Sequence, residues 1–394
     1  MYLGIDNLVV VQGKIIRDFY PYFYTCDDGA PGEPTDLECW VFDGVTYKPS
    51  GKRAKKITVK TPAEVRVARE KFKLVSQSYI PYALRASADL LGVNIPLKVE
   101  PPPSGVEIMA FDIEVVGRRK YFAWTLDGDV TYSDQPKDLV EAAREADYVV
   151  GYNSWEFDYR HLGGYKYFIA GVPHIDLYKL AEERYRSSFG LTESGSSLYE
   201  VAVQLGAPPE GMTPTERLRK KLKRASREQL SQEELKDYLA TDVVVTHLIG
   251  KKWMPILLAL SKATGFDPLA IVQSAESGAS PAILAEVMYH KQMEELGAVL
   301  VDRTREREFE GGDKVKAKAP GIYEGVYEYD FHMMYPTTYR EHFVDPTGVR
   351  ECADGYEVKF ADGTKVKVCF DGGPIFEVLK SFYDARAVSK KISK

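Results

Sequence analysis

The strongest constraint on the fold is an apolar, strand-like run that two acids interrupt. Asp112 and Glu114 stand two residues apart among Phe111, Ile113 and Val115. Because side chains alternate across a β-strand, both acids are predicted on one face and the apolar residues on the other. Neighbouring carboxylates raise each other's pKa, and a divalent cation removes that conflict. The pattern alone fits either a metal site or an exposed strand face.

Strand and helix patterns alternate after a proline-rich stretch at residues 97–105, which we interpret as a linker between domains. Such alternation favours an α/β sheet domain. The predicted strands cover residues 106–116, 121–126, 148–152, 323–331, 356–360 and 365–370. The predicted helices begin near Pro136 and near Asp158, cover residues 231–259 and 280–296, and begin again near Pro374.

Composition and length exclude several classes of protein. With 44% hydrophobic and 28% charged residues, the chain is neither disordered nor collagen-like. Its 394 residues predict about two to four domains. No apolar run is expected to reach the roughly 18–20 residues of a membrane-spanning helix. Asp6 interrupts the apolar N-terminus, which argues against a signal peptide. We therefore expect a cytoplasmic protein, nucleoid-associated if it is prokaryotic.

The net charge limits where the chain could bind nucleic acid, and the cysteine spacing limits which metal or disulfide sites it could form. A net charge of −6 gives no overall nucleic-acid footprint, so any such binding requires local basic surfaces. The candidates are residues 217–227 and 52–56. Their alternative interpretation is a charged surface that faces solvent and binds no partner. The four cysteines contain no C-x-x-C pair, which argues against a zinc ribbon. A bond between Cys352 and Cys369 stays open, because some hyperthermophile proteins keep disulfides inside the cell.

Two further elements carry acids that have ordinary structural interpretations when each is taken alone. Asp158 follows the strand at residues 148–152 and Asn153, where an aspartate commonly caps a helix. Tyr238 and Asp242 are four residues apart, so they share one face of a predicted helix. Either element is unremarkable alone; the ordered set of three is informative.

The ordered set resembles the Exo I, Exo II and Exo III motifs of the DnaQ-like 3′→5′ exonucleases found in family B DNA polymerases. The resemblance implies a ribonuclease-H-like fold in which carboxylates hold two Mg²⁺ or Mn²⁺ ions. It implies that Asp112, Glu114 and Asp242 hold the first metal, that Asp112 bridges to the second, and that Asp158 supports the second. All four acids are present, which predicts a competent exonuclease.

The same resemblance assigns two residues to the substrate side of that site. Tyr238 would orient the attacking water. Asn153 matches the Exo II asparagine and would contact the single-stranded 3′ end of DNA.

Residues 326–336 resemble motif A of the family B polymerase palm, commonly D-F-x-S-L-Y-P. The resemblance implies that Asp330 binds both catalytic metals, that Phe331 offers its carbonyl to the second metal, and that Tyr335 lies under the incoming sugar. Arg386 and Lys390, one helical turn apart, would contact the triphosphate of a dNTP. Taken without the resemblance, the first segment is a buried aromatic strand and the second a solvated basic helix end.

The resemblance stops before the polymerase site is complete. The sequence contains neither K-x-x-x-N-S-x-Y-G (motif B) nor D-T-D (motif C). We therefore expect the N-terminal part of a polymerase, as from a split gene, a shortened chain or a degenerate paralogue. A second polymerase chain would supply the missing motifs on a DNA primer-template. The alternatives are a stand-alone single-strand exonuclease and a non-catalytic architectural subunit that binds DNA.

The predicted fold class is a multidomain α/β protein. A mixed α+β N-terminal domain precedes a ribonuclease-H-like exonuclease domain, and an incomplete palm follows. The predicted ranges are 1–104 for the N-terminal domain, 105–250 for the exonuclease, 251–320 for a helical connection, 321–374 for the partial palm and 375–394 for the first fingers helix.

Overall fold

The computed structural model describes residues 9–12, 14–16, 18–163, 166–206, 231–302, 334–359 and 363–392. The chain divides into two compact units, each assembled from segments that are distant in sequence. The first unit comprises Met1–Phe19, Ile80–Asn94 and Lys98–Val287. The second comprises Tyr20–Tyr79, Ile95–Leu97 and Met288–Lys394.

The regular elements of the described residues are numbered in chain order. The strands are β1 Val9–Val11, β2 Lys14–Ile16, β3 Tyr22–Thr25, β4 Glu33–Phe42, β5 Tyr47–Thr58, β6 Val75–Ser76, β7 Ile108–Val116, β8 Arg119–Thr125, β9 Thr131–Ser133, β10 Tyr148–Gly151, β11 Phe168–Ile169, β12 Val172–Asp176, β13 Ala298–Leu300, β14 Val349–Lys359 and β15 Lys365–Phe370. The helices are α1 Pro62–Arg69, α2 Tyr82–Leu91, α3 Pro136–Ala143, α4 Tyr178–Ala181, α5 Leu198–Gln204, α6 Gln232–Thr264, α7 Pro268–Glu276, α8 Ala282–Glu295, α9 Met334–Glu341 and α10 Pro374–Ile392.

A six-stranded sheet forms the centre of the first unit, with strand order β11-β12-β10-β7-β8-β9. β7, β8 and β9 pair antiparallel, whereas β10 runs parallel to β7 and β12 runs parallel to β10. Phe111 and Ile113 of β7 lie opposite Trp124 and Phe122 of β8, and these four side chains join one buried apolar cluster. The other face of β7 therefore carries Asp112 and Glu114.

Helix α6 packs on the face of β7 that carries the acids. A Cβ atom added at Gly250 would lie 3.2 Å from Val150 and 3.7 Å from Ile108, and Ile108 shares the face of Asp112. A side chain at Gly250 would thus push the helix away from the sheet. Asp242 precedes Gly250 by about two helical turns, so α6 turns Asp242 toward the same face.

The predicted helix at residues 231–259 is observed with a longer C-terminal end. Ser231 and Glu234 form a reciprocal capping box at its start, and Gly265 ends it with a left-handed conformation at φ 90°. By length and composition, α6 is the one described helix that could cross a membrane, contrary to our expectation that no run is long enough. Because 56% of its most apolar 18-residue window is buried inside the protein, it has the character of a core helix.

The second unit contains a five-stranded sheet with order β13-β4-β5-β3-β6 and a separate hairpin of β14 and β15. The hairpin strand predicted at 356–360 begins earlier, at Val349. Asp36 and Glu38, which have the same spacing as Asp112 and Glu114 but follow a segment rich in turn residues, belong to the strand β4. Antiparallel pairing with β5 overrides the local turn preference of that segment. The segment that we predicted as a strand at residues 323–331 lies outside the described residues.

Disulfide bonds close two loops of the second unit. Cys352 pairs with Cys369 across the β14–β15 hairpin, as left open from the sequence. A second bond joins Cys26 to Cys39, thirteen residues apart, and was not anticipated. The Cys352–Cys369 bond joins two strands that pair with each other, whereas the Cys26–Cys39 bond joins the residue after β3 to β4, and β5 lies between those strands in the sheet.

The last helix, α10, is fixed at its start by one buried carboxylate. Asp345, which is fully buried, accepts hydrogen bonds from the backbone N–H groups of Ile375 at 2.7 Å and Phe376 at 3.0 Å. Its other oxygen accepts from the backbone N–H and the hydroxyl of Thr347. Asp345 therefore satisfies helix donors that would otherwise lack partners.

Candidate functional site

Strand β7 delivers the first two acids of the candidate site. Glu114 is 4% exposed. Asp112 follows Ala110, the last residue of β7 that pairs with the parallel strand β10. The pKa of Asp112 is raised well above its ordinary value, first by burial and then by the negative charges of Asp158, Asp242 and Glu114. The shift shows that four carboxylates from three separate segments lie close enough to act on one another.

The loop after β10 brings in Asp158 and Asn153. This loop turns sharply at Gly151, where an added Cβ would lie 2.3 Å from the hydroxyl oxygen of Ser154. Asn153 adopts a left-handed backbone conformation with φ 58°, which asparagine tolerates better than most residues. Asp158 is 8% exposed and opens a four-residue 3₁₀ helix, Asp158–His161, in place of the longer helix that we predicted. Asp158 is the first residue of that helix, not its N-cap.

Asp176 holds this loop and was missed in the sequence. Its carboxylate is fully buried at the end of β12 and accepts backbone N–H groups from Asn153 at 2.7 Å, Trp155 at 3.0 Å and Tyr178 at 3.0 Å. The pKa of Asp176 is still raised to about 6 because burial outweighs these hydrogen bonds. A signal for it existed, since an acid ending a strand beside β10 lies at the same sheet edge as the loop.

Helix α6 supplies Asp242 and Tyr238. Asp242 is 9% exposed, and Tyr238 lies one helical turn before it on the same face of α6. The pKa of Tyr238 is raised, first by burial and then by the charges of Asp242, Glu114 and Asp112, so its phenol stays protonated. A second phenol, Tyr199 of α5, donates to Asp242 Oδ1 at 2.7 Å. The sequence gave no signal for Tyr199, which lies 43 residues away in the chain.

We call Asp112, Glu114, Asp158 and Asp242 the acid cluster. Its donors are carboxylate oxygens, which divalent Mg²⁺ and Mn²⁺ prefer as ligands. Among the described residues, no group of three His, Cys, Asp or Glu side chains lies close enough together to hold a metal ion. The acid cluster nevertheless has the ligand chemistry and the excess negative charge that a divalent ion would neutralise.

The predicted polymerase residues are placed less fully. Asp330 and Phe331 lie outside the described residues, and so do residues 207–230, which contain the whole predicted basic run at 217–227. Tyr335 lies in α9, with its side chain outside the description. Arg386 and Lys390 are exposed on α10, one helical turn apart.

The second predicted basic run, residues 52–56, has local partners. Lys52 pairs with Asp28 at 2.6 Å, Lys55 donates to the carbonyl of Ala30 at 2.7 Å, and Lys56 lies over the ring of Tyr22. These contacts are those of a strand surface within its own sheet. They give no support to a role in nucleic-acid binding.

The chain is similar to DNA polymerases in sequence and in structure. No family model matches the chain. A DNA polymerase of Pyrococcus glycovorans is 30% identical to it over 168 residues. The solved structure of the family B DNA polymerase from the hyperthermophilic archaeon Pyrobaculum calidifontis matches 97% of the chain, with a TM-score of 0.60 and 21% sequence identity. The chain has the fold of the family B DNA polymerases. The resemblance inferred from the motifs is thereby confirmed.

The match to the family B polymerases covers only part of those proteins. The aligned residues are 40% of this chain and 21% of the Pyrococcus polymerase. The chain spans 61% of the length of the Pyrobaculum family B structure. Both relatives are therefore longer than the chain described here, and the family B likeness extends over mixed α/β sheets in nearly all of it.

Proposed function

We propose that this chain is part of a family B DNA polymerase and that its first unit is a metal-dependent 3′→5′ exonuclease acting on single-stranded DNA ends. The order β9-β8-β7-β10-β12 supports a ribonuclease-H-like sheet, since three antiparallel strands precede two that run parallel to the first. In such a sheet, β7 is the central strand. Catalytic acids on a central strand lie where neighbouring loops can reach them.

The acid cluster is the single observation on which the proposal depends. Burial and the charges of the three other carboxylates raise the pKa of Asp112, so its ionised form costs folding free energy. Tyr199 donates a hydrogen bond to Asp242, but a purely structural role would not bring three further acids close to Asp112. An arrangement that is unfavourable for the fold alone is expected where a cation binds.

Each member of the acid cluster has a distinct role in the proposed reaction. Asp112, Glu114 and Asp242 would hold one ion, and Asp112 with Asp158 would hold the second. Two bound Mg²⁺ or Mn²⁺ ions would supply a nucleophilic hydroxide and stabilise the leaving 3′ oxygen. Tyr238, whose raised pKa keeps its proton in place, would donate to or orient the attacking water. Asn153, fixed by its backbone bond to Asp176, would contact the 3′ nucleotide.

The test is degradation of an end-labelled single-stranded DNA in the presence of Mg²⁺ or Mn²⁺. We expect shortening from the 3′ end by the intact chain and at least about a hundredfold loss in Asp112→Asn. Asp129→Asn, which removes an exposed acid from the same unit, is the matched control and should retain full activity. DNA binding without degradation under either metal would instead favour an architectural subunit.

The polymerase part of the proposal concerns the second unit. Motif B and motif C are absent from these 394 residues, so nucleotide transfer would need further residues that supply them, for example those of a second chain. Asp330 would contribute metal ligation, Phe331 its carbonyl and Tyr335 the floor under the sugar of a dNTP. Arg386 and Lys390 on α10 would contact the triphosphate.

Primer extension separates the polymerase proposal from a stand-alone exonuclease. The chain alone should not extend a primer on a template. Adding a chain that carries motifs B and C should restore extension, and Asp330→Asn should abolish it again. Extension by these 394 residues alone would contradict the need for motifs B and C from elsewhere.

A further inference from the structure

We infer that Tyr199 is a positioning residue of the exonuclease site, which holds the Asp242 carboxylate in the orientation that binds metal. This inference rests on the proposed function. Tyr199 belongs to none of the three sequence motifs, and it reaches Asp242 from a different helix.

The hydrogen bond between Tyr199 and Asp242 is short, and its acceptor is buried. The Tyr199 hydroxyl donates to Asp242 Oδ1 at 2.7 Å, and Asp242 is only 9% exposed. Hydrogen bonds to ionised acceptors are shorter and about twice as strong as those between neutral groups. The bond therefore restricts the rotation of the Asp242 side chain, and a carboxylate still has further lone pairs available for an ion.

The position of Tyr199 is itself fixed by local structure. Helix α5 begins with a capping box in which the Glu200 carboxylate accepts the backbone N–H of Ser197 at 3.0 Å. The preceding residue is tied to the sheet, because the Tyr152 hydroxyl donates to the carbonyl of Ser196. Tyr152 directly follows β10 and precedes Asn153. One chain of contacts thus links the loop that carries Asp158 to the carboxylate of Asp242.

A phenol suits this position better than a lysine or arginine would. A cation beside Asp242 would cancel the negative charge that attracts a metal ion. A neutral hydroxyl orients the carboxylate and leaves that charge in place. Tyr238 lies one helical turn before Asp242 on the same face of α6, whereas Tyr199 reaches Asp242 from a different helix. Groups that hydrogen-bond to metal-binding carboxylates commonly change metal affinity when they are removed.

The experiment is Mn²⁺ binding to Tyr199→Phe, measured without DNA from the electron paramagnetic resonance signal of free Mn²⁺. Phenylalanine keeps the ring and removes only the hydroxyl. We expect binding about 10- to 100-fold weaker than in the unmodified chain. Tyr185→Phe is the matched control, since it removes a buried hydroxyl bonded to Ser274 Oγ at 2.8 Å in the same unit. Its Mn²⁺ binding should be unchanged.

The single-strand assay supplies a second readout. In Tyr199→Phe, the Mn²⁺ concentration for half-maximal activity should rise by the same factor, while the rate at saturating Mn²⁺ stays within about threefold. A merely structural role would lower the maximal rate and leave the metal dependence in place.

The outcomes separate this inference from the proposed function. If the unmodified chain degrades DNA and binds Mn²⁺ and Tyr199→Phe does both equally well, the role of Tyr199 is refuted and the exonuclease stands. An equal loss in Tyr185→Phe would refute it as well. If the unmodified chain neither binds Mn²⁺ nor shortens DNA, the proposed function itself fails.

Discussion

The buried acids of the two units have opposite surroundings. In the first unit, Asp112 faces three other carboxylates, and their charges add to burial in raising its pKa. In the second unit, Asp345 is fully buried and accepts hydrogen bonds from three backbone N–H groups and a hydroxyl. Burial alone therefore does not distinguish a functional acid from a structural one, whereas the partners do.

Asp176 shows that the difference between Asp112 and Asp345 depends on the groups around each acid and not on which unit of the chain holds it. It lies in the same sheet as the acid cluster, yet its neighbours are three backbone N–H groups. It therefore resembles Asp345 and holds the loop that carries Asp158. An acid surrounded by donors stabilises the fold, and an acid surrounded by acids destabilises it until a cation binds.

Removal of Asp345 should have the largest effect on stability. Asp345→Ala leaves three N–H groups and a hydroxyl without their acceptor, which we expect to cost about 3 kcal/mol. Hydrogen exchange of the α10 amides measures that loss locally. Asp371→Ala, which breaks an exposed ion pair with Arg350, is the control and should cost no more than about 1 kcal/mol. Equal exchange in both variants would remove the distinction drawn for Asp345.

Added Mn²⁺ should stabilise the first unit and leave the second unchanged. An ion that binds only the folded state stabilises it by about 2.7 kcal/mol at a hundred times its dissociation constant. Hydrogen exchange of β7 and α6 should slow accordingly, while α10 exchanges as before. The effect should vanish in Asp112→Asn. Protection that persists in Asp112→Asn would place the ion elsewhere.

Replacing an acid that lies among other acids and replacing one that lies among N–H donors should change the free energy of unfolding in opposite directions. Without metal, Asp112→Asn removes charge repulsion and should stabilise the first unit by about 1 kcal/mol. Asp176→Asn keeps the shape but turns a donor toward N–H groups, which should cost about 1–2 kcal/mol. Denaturant unfolding of both variants in chelator measures the difference. A loss of stability in Asp112→Asn would mean that its carboxylate is structurally required.

Sequence patterns were sufficient for the elements that are strongly periodic. The alternation around Asp112 and Glu114 predicted β7 and the face of its acids, and the apolar helical spacing before Thr264 predicted α6. The sequence analysis assigned no strand to β4, because its conformation depends on pairing with β5 and not on a local pattern. The helix predicted near Asp158 is a single 3₁₀ turn held by the loop geometry.

The rest of the candidate site depends on contacts between residues far apart in the chain. Tyr199 meets Asp242 across 43 residues, and Asp176 meets Asn153 across 23. No local pattern marks Tyr199, and the only signal for Asp176 is its place at the end of a strand beside β10. The role of Asp330 stays a prediction, since it lies outside the described residues.

The smallest expected effect is a pH dependence of folding stability caused by Asp302. Asp302 is half-buried like Asp112 but accepts a backbone hydrogen bond like Asp345, so it tests which of the two surroundings decides the preferred charge state. Asp302 accepts the backbone N–H of Gln77 at 3.1 Å, yet burial raises its pKa from 3.8 to about 6. Because the folded-state pKa lies above the unfolded one, the folded chain keeps a proton that the unfolded chain releases between about pH 4 and pH 6. Stability from this group should therefore fall as the pH rises through that window and stay level above it.

Partial solvent screening reduces the expected loss from Asp302 to about 1 kcal/mol. Denaturant unfolding at pH 4.5 and pH 7 measures it as the difference between the unmodified chain and Asp302→Asn, which cannot titrate. If the unmodified chain instead gains stability over Asp302→Asn as the pH rises, hydrogen bonds outweigh burial at Asp302. Asp302 would then belong with Asp345, because its ionised form would be the one that the fold prefers.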